Sequence, residues 1–308
     1  MKKAFVPLVC ILSILLVLLN VNTITDHIIL ILNPVSKASY IKQDIYNKNN
    51  YNFVENTTSN TPFGKQDILN IFYTVLNDGM SSFTFYCPKE YTNCISDISE
   101  MSKDENLLTH LNNFVHPYHS FSNITTDISD SGEINLKINY IYSKEEIDSI
   151  NKEVERLIKE LLDSSLTEDY DKIKVIHDYI INNTKYDLDN KEENKSFTAY
   201  GALFNHLATC NGYTDLMAIF LAKMGYDNYK IATTNDSSGH VWNVVKINEE
   251  WLHLDLTWDD PVSSDGKDYL YHKYFLINTD ELIIADNNIT SKEHEFDRSI
   301  YSELKATN

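Results

Sequence analysis

After Met224-Gly225 the hydrophobic pattern of the chain changes period. Before that point apolar residues recur at helical spacing: Ile173, Ile176, Tyr179 and Ile180 form one stripe, and Leu216, Ile219 and Phe220 another. After it they alternate with polar residues, and 229–233, 240–247, 251–257 and 273–277 read as four strands. Asn248-Glu249-Glu250 is a tight turn between the middle two. Thr167-Glu168-Asp169 supplies a helix start, with an N-cap and acids in the first turn. Helices followed by such strands predict an α+β fold for residues 166–285, with helices packed on a mostly antiparallel sheet.

Upstream, a second α+β pattern fills residues 66–163. Helical stripes run through Ile68, Leu69, Phe72, Val75 and Leu76, through Leu107, Leu108, Leu111 and Val115, and through Ile147, Ile150, Val154, Leu157 and Leu161. Phe83 and Phe85, then Ile134, Leu136, Ile138 and Tyr140, alternate as strands. This region reads as a small accessory domain. His110, His116 and His119 lie close in sequence, but as metal ligands they would need support from a nearby carboxylate or Cys. Residues 26–65 are polar, carry Pro34 and Pro62, and read as a linker. Residues 286–308 read as a C-terminal tail.

Residues 1–25 carry Lys2 and Lys3 ahead of an apolar run over 4–19, the pattern of an export signal. The run is slightly short of the roughly 20 residues a spanning helix needs, and Val21 and Ile24 extend it. No small-x-small cleavage site follows, which favours an uncleaved N-terminal anchor at the outer face of the cytoplasmic membrane over a secreted product. Cys10 lies inside the apolar run as hydrophobic filler. The formal charge of −19 argues against a nucleic-acid partner and against general adhesion to anionic membranes. Outside the leader three cysteines remain. Cys87 and Cys94 could bridge a small loop or stay as two buried thiols, and either way Cys210 is left over.

Three residues can be read as one apparatus. Cys210 stands where a loop meets an amphipathic helix, and the free N–H groups and positive end of a helix favour thiolate over thiol. His240 begins a strand 30 residues later, and imidazole can take a proton from a thiol and return it to a leaving amine. Asp255 lies in the next strand, where a carboxylate would fix the imidazole tautomer. A hairpin turning at 248–249 sets residue 240 opposite about residue 256, beside Asp255. His206 and His253 are less well placed as bases.

The motifs around these residues are specific in combination. Ala199-Tyr200-Gly201-Ala202-Leu203, Cys210-Asn211-Gly212-Tyr213, Gly239-His240-Val241-Trp242-Asn243-Val244-Val245 and Trp251-Leu252-His253-Leu254-Asp255-Leu256-Thr257-Trp258-Asp259-Asp260-Pro261 occur in that order. They resemble the core of the transglutaminase-like superfamily over roughly residues 168–280. The resemblance implies a papain-like α+β fold and thiol acyl transfer without a cofactor. It places the triad on Cys210, His240 and Asp255. Bacterial members of this layout are commonly exported or membrane-anchored. Tyr200, Trp242 and Trp258 are candidates for the oxyanion site or the acyl cleft, with core packing as their alternative. Asp259, Asp260, Asp265 and Asp268 could hold calcium, loop solvation being the simpler reading.

The expected function is extracytoplasmic acyl transfer from a carboxamide or peptide bond of a protein or peptide substrate, such as a cell-envelope component, with hydrolysis favoured over crosslinking. The alternative is a catalytically silent envelope-binding or scaffold module of the same fold.

Overall fold

The computed structural model describes residues 50–304, apart from 130, 190–192, 194, 235–238, 263–268 and 288–291. The leader, most of the polar linker, Asp265 and Asp268 lie outside the described residues. No described helix is long and apolar enough to cross a membrane.

The change of period at Met224-Gly225 becomes a change from helix to sheet. Helices α1 (Lys65–Asn77), α2 (Cys94–Met101) and α3 (Glu105–Phe114) accompany a three-stranded antiparallel sheet. Its strands are β1 (Ser82–Tyr86), β2 (Phe121–Ile128) and β3 (Glu133–Tyr140), with β3 in the centre. Cys87 and Cys94 form a disulfide that ties the end of β1 to the start of α2. Helices α4 (Lys144–Leu161), α5 (Asp169–Asn183) and α6 (Cys210–Lys223) follow. A two-residue parallel pair, β4 (Lys185–Tyr186) with β5 (Leu207–Ala208), brackets the loop between the last two. The antiparallel sheet β6 (Asn228–Ala232), β7 (Val241–Ile247), β8 (Glu250–Leu254) and β9 (Phe275–Ile277) comes next, paired in that order. The turn α7 (Leu256–Asp259) and helix α8 (Thr279–Asp286) flank β9.

The alternation along β7 sorts its side chains between two cores. Trp242 and Val244 face the first core, with Tyr229 and Ile231 of β6 and the apolar stripes of α1 and α3. Val245 turns to the second, with Leu254 of β8 and the stripes of α4, α5 and α6. The four-stranded sheet therefore lies between two hydrophobic clusters. Helix α4 belongs to the second one, although it precedes residue 163. The segment after 291 also contributes: Tyr301 and Leu304 are buried in the first core.

The bounds of all four strands shift by one to three residues from the periodic reading, and two of the shifts bear on the site. Strand β8 ends at Leu254, and Asp255 instead caps α7, its Oδ1 accepting the Trp258 N–H at 3.1 Å. An Asp at this position satisfies a backbone donor that the helix itself leaves unpaired. Strand β7 begins at Val241, one residue after His240.

Candidate active site

Helix α6 is held in register with β7 by side chains just after its first residue. Thr214 donates from Oγ1 to the Val241 carbonyl at 3.1 Å, and Asn243 Nδ2 donates to the Thr214 carbonyl at 3.0 Å. On the same helix Asp215 forms a buried ion pair with Lys230 of β6 at 2.9 Å and accepts the Tyr142 hydroxyl at 2.7 Å. Gly212 permits the loop to close on the helix start, since a Cβ there would lie 2.3 Å from the Ser196 carbonyl oxygen. These ties place Cys210, the first residue of α6, against the end of β7. Its Sγ is 4.0 Å from the Gly239 carbonyl.

His240 connects the sulfur to a carboxylate. Its Nε2 lies 2.5 Å from Asp255 Oδ2, and Cys210 is close enough to help hold the ring's proton. With Nε2 engaged by Asp255, Nδ1 is the other ring nitrogen. The hairpin produces this meeting. Asn248 and Glu249 both have positive φ, as a tight two-residue turn requires, and Asn243 pairs with Leu254. His240 and Asp255 thus stand just beyond the ends of paired strands. Cys210, His240 and Asp255 are all buried, at 7%, 6% and 2% exposure.

Burial works against the charged imidazole of His240. The Asp255 charge and hydrogen bond, with Cys210 adding to them, outweigh it and hold the ring up to about 10. Asp255 is likewise penalised by burial, but His240 and His294 drive its carboxyl far below the usual carboxylate range.

Trp242 does not line an open cleft. It is buried in the first core, its ring stacked beside His240 with centroids 5.7 Å apart. Its periodicity in β7 points it inward, and its Nε1 donates to His253 Nδ1 at 3.1 Å. Burial drives His253 down to about 3, so it stands as a neutral acceptor. Trp258 is half-buried and donates from Nε1 to Glu293 at 3.1 Å. Tyr200 packs on Phe204, with Lys195 over its ring. His206 bonds the Asn183 carbonyl, and His110 bonds the Tyr301 hydroxyl.

Two residues near the site were not expected. Tyr186 of β4 brings its hydroxyl beside the Cys210 backbone N–H. Its place follows from the β4–β5 pairing, in which Tyr186 stands opposite Ala208, two residues before Cys210. His294 reaches Asp255 from the segment read as a tail, Nε2 to Oδ2 at 3.0 Å.

Two groups among the described residues bring enough ligand atoms together for a metal ion: His240, Asp255 and His294, and separately His177, Asp178 and His272. In both, the nitrogens hydrogen-bond directly to the carboxylate. Of the acidic cluster, Asp259 accepts the backbone N–H groups of Lys273 and Tyr274, and Asp260 accepts the Tyr213 hydroxyl.

The segment that carries Cys210, His240 and Asp255 is similar to the transglutaminase-like superfamily, whose model matches residues 156–256. No curated protein matches the chain. Two solved structures are similar to parts of it. One, described as the crystal structure of a TGase, shares 14% identity at a TM-score of 0.34 and covers 48% of each chain. The other, a candidate cysteine protease from Cytophaga hutchinsonii, shares 13% identity at a TM-score of 0.30 and covers 44% of this chain and 62% of its own. The chain thus spans between about half and three-fifths of those proteins.

Proposed function

We propose that the protein is an extracytoplasmic thiol acyl-transfer enzyme acting on a carboxamide or peptide bond. The observation that carries the proposal is His240, with Nε2 on Asp255 and the Cys210 sulfur, at the start of a helix, close enough to help hold its proton. Cys210 attacks the acyl carbon and its proton resides on His240. The C–N bond then breaks, and His240 gives the departing amine its proton, leaving a thioester. Water, deprotonated by His240, hydrolyses the thioester to a carboxylic acid and restores the thiol. An amine in place of water gives a crosslink. Hydrolysis is the favoured outcome. The Tyr186 hydroxyl, which stands beside the Cys210 backbone N–H, is a candidate donor to the substrate oxygen that gains charge. The leader supports export, and an uncleaved leader would hold the enzyme at the outer face of the membrane.

The test is incubation with a glutamine-containing protein and a fluorescent primary amine, followed by mass spectrometry. The expected result is an acyl adduct on Cys210, absent in Cys210→Ala, with hydrolysed product exceeding amine conjugate. No adduct and no product from the wild type, across a panel of acyl donors, would favour a silent binding module and contradict the proposal.

A further inference from the structure

His294 lies outside the segment matched by the family, yet its ring is buried at 1% exposure against the thiol site. Each ring nitrogen faces a carboxylate. Nε2 is 3.0 Å from Asp255 Oδ2, and Nδ1 is 3.1 Å from each oxygen of Asp286. An ionised carboxylate only accepts hydrogen bonds, so both nitrogens must donate and the ring must be an imidazolium. The oxygen of Asp255 that it meets is the same one that receives His240 Nε2. Asp286, His294, Asp255 and His240 therefore form a line of alternating charge, half-buried at Asp286 and buried from His294 inward, that leads to the thiol site.

We propose that His294 is a positioning residue for the thiol site: held as a cation by Asp286, it shares the charge of Asp255 with His240 and so sets the pH range in which Cys210 reacts. The proposal rests on the reading of Cys210 and His240 given above. The other groups that face His294 do not supply this cation. His253 is neutral, Tyr274 donates its hydroxyl to Asp286 at 3.0 Å, and Glu293 is turned to Trp258. The Tyr274 and Trp258 rings close the slot, with centroids 4.8 and 5.2 Å from that of His294.

The sign of the effect follows from Coulomb's law. A cation on Asp255 opposes a second cation on His240, so removing it lets His240 keep its proton to higher pH. The rate of Cys210 alkylation by iodoacetamide, followed on the Cys210 peptide, should show an upper step where His240 loses its proton. His294→Gln is expected to move the upper step up by about one pH unit, while His294→Lys keeps it near the wild-type position. A residue that only filled space would slow the reaction without moving the step. Ring nitrogen NMR shifts of the wild type at pH 7 provide a measurement that needs no variant, and His294 should carry protons on both nitrogens. Superposable pH profiles for His294→Gln and wild type, or a neutral His294 at pH 7, would overturn the inference. A wild-type Cys210 that is unreactive at pH 6, with His294 still doubly protonated, would instead mark failure of the thiol-enzyme reading beneath it.

Discussion

Asp255 accepts three donors within one buried carboxylate: the Trp258 N–H on Oδ1, and His240 and His294 on Oδ2. Its charge is what holds the His240 proton, and the consequence for stability has a definite sign. A histidine raised in the folded state contributes stability that is complete below its ordinary value of 6.5 and fades as pH rises through its folded value. For His240 the window is pH 6.5 to about 10. The wild-type melting temperature should therefore fall across that window more steeply than that of Asp255→Asn, in which the holding charge is gone. Equal slopes in thermal denaturation at pH 6, 8 and 10 would contradict this. The triad residues were legible in the sequence because a short hairpin fixes which positions meet, and the helix start fixes the sulfur. His294 and Tyr186 were not. They reach the site across 39 residues to Asp255 and 24 to Cys210, along paths that only the packed fold defines.

At the scale of elements, the start of α6 depends on close backbone approach. A Cβ on Gly212 would meet the Ser196 carbonyl at 2.3 Å and the Ala208 side chain at 3.0 Å. Gly212→Ala is expected to cost about 1–3 kcal/mol, because the loop must shift off the helix. Denaturant unfolding reads the loss, and slower Cys210 alkylation should accompany it. An unchanged midpoint would show that the loop yields freely. The helical stripes of α3 and α4 were readable because each buries one apolar face, whereas α1 and α6 are buried on nearly every side and showed only part of their packing as a stripe. Strand β2 was not, since it lies at a sheet edge and only Ile124 along it is buried, leaving little alternation to detect. Helix α2 is short and opens on a disulfide cysteine, and its three buried residues make too brief a stripe.

At the scale of the molecule, the four-stranded sheet serves both cores, and the segment after residue 291 closes the arrangement. Tyr301 sits in the first core, where its hydroxyl accepts from Asn113 Nδ2 at 2.8 Å and from the Ala232 N–H at 3.3 Å. The same segment carries His294 to Asp255, so the stability of the accessory region and the geometry of the thiol site share one strap. Tyr301→Ala should cost about 3–5 kcal/mol and Tyr301→Phe about 1–3 kcal/mol, from the donors left unpaired. Equilibrium denaturation distinguishes the two, and equal losses would show that the hydroxyl contributes nothing. Composition and period predicted the α+β class, while the part played by the C-terminal segment lay hidden in a polar stretch whose few apolar residues have no regular spacing.

The central claim is that Cys210 is a nucleophile activated by His240 and Asp255. Its most direct test is the rate of iodoacetamide labelling at pH 6, quantified on the Cys210 peptide of the native chain and of His240→Ala. The account predicts rapid labelling of the native protein, and a loss of at least about tenfold in His240→Ala. Native labelling no faster than that of the urea-unfolded chain, or equal rates in the two proteins, would contradict it.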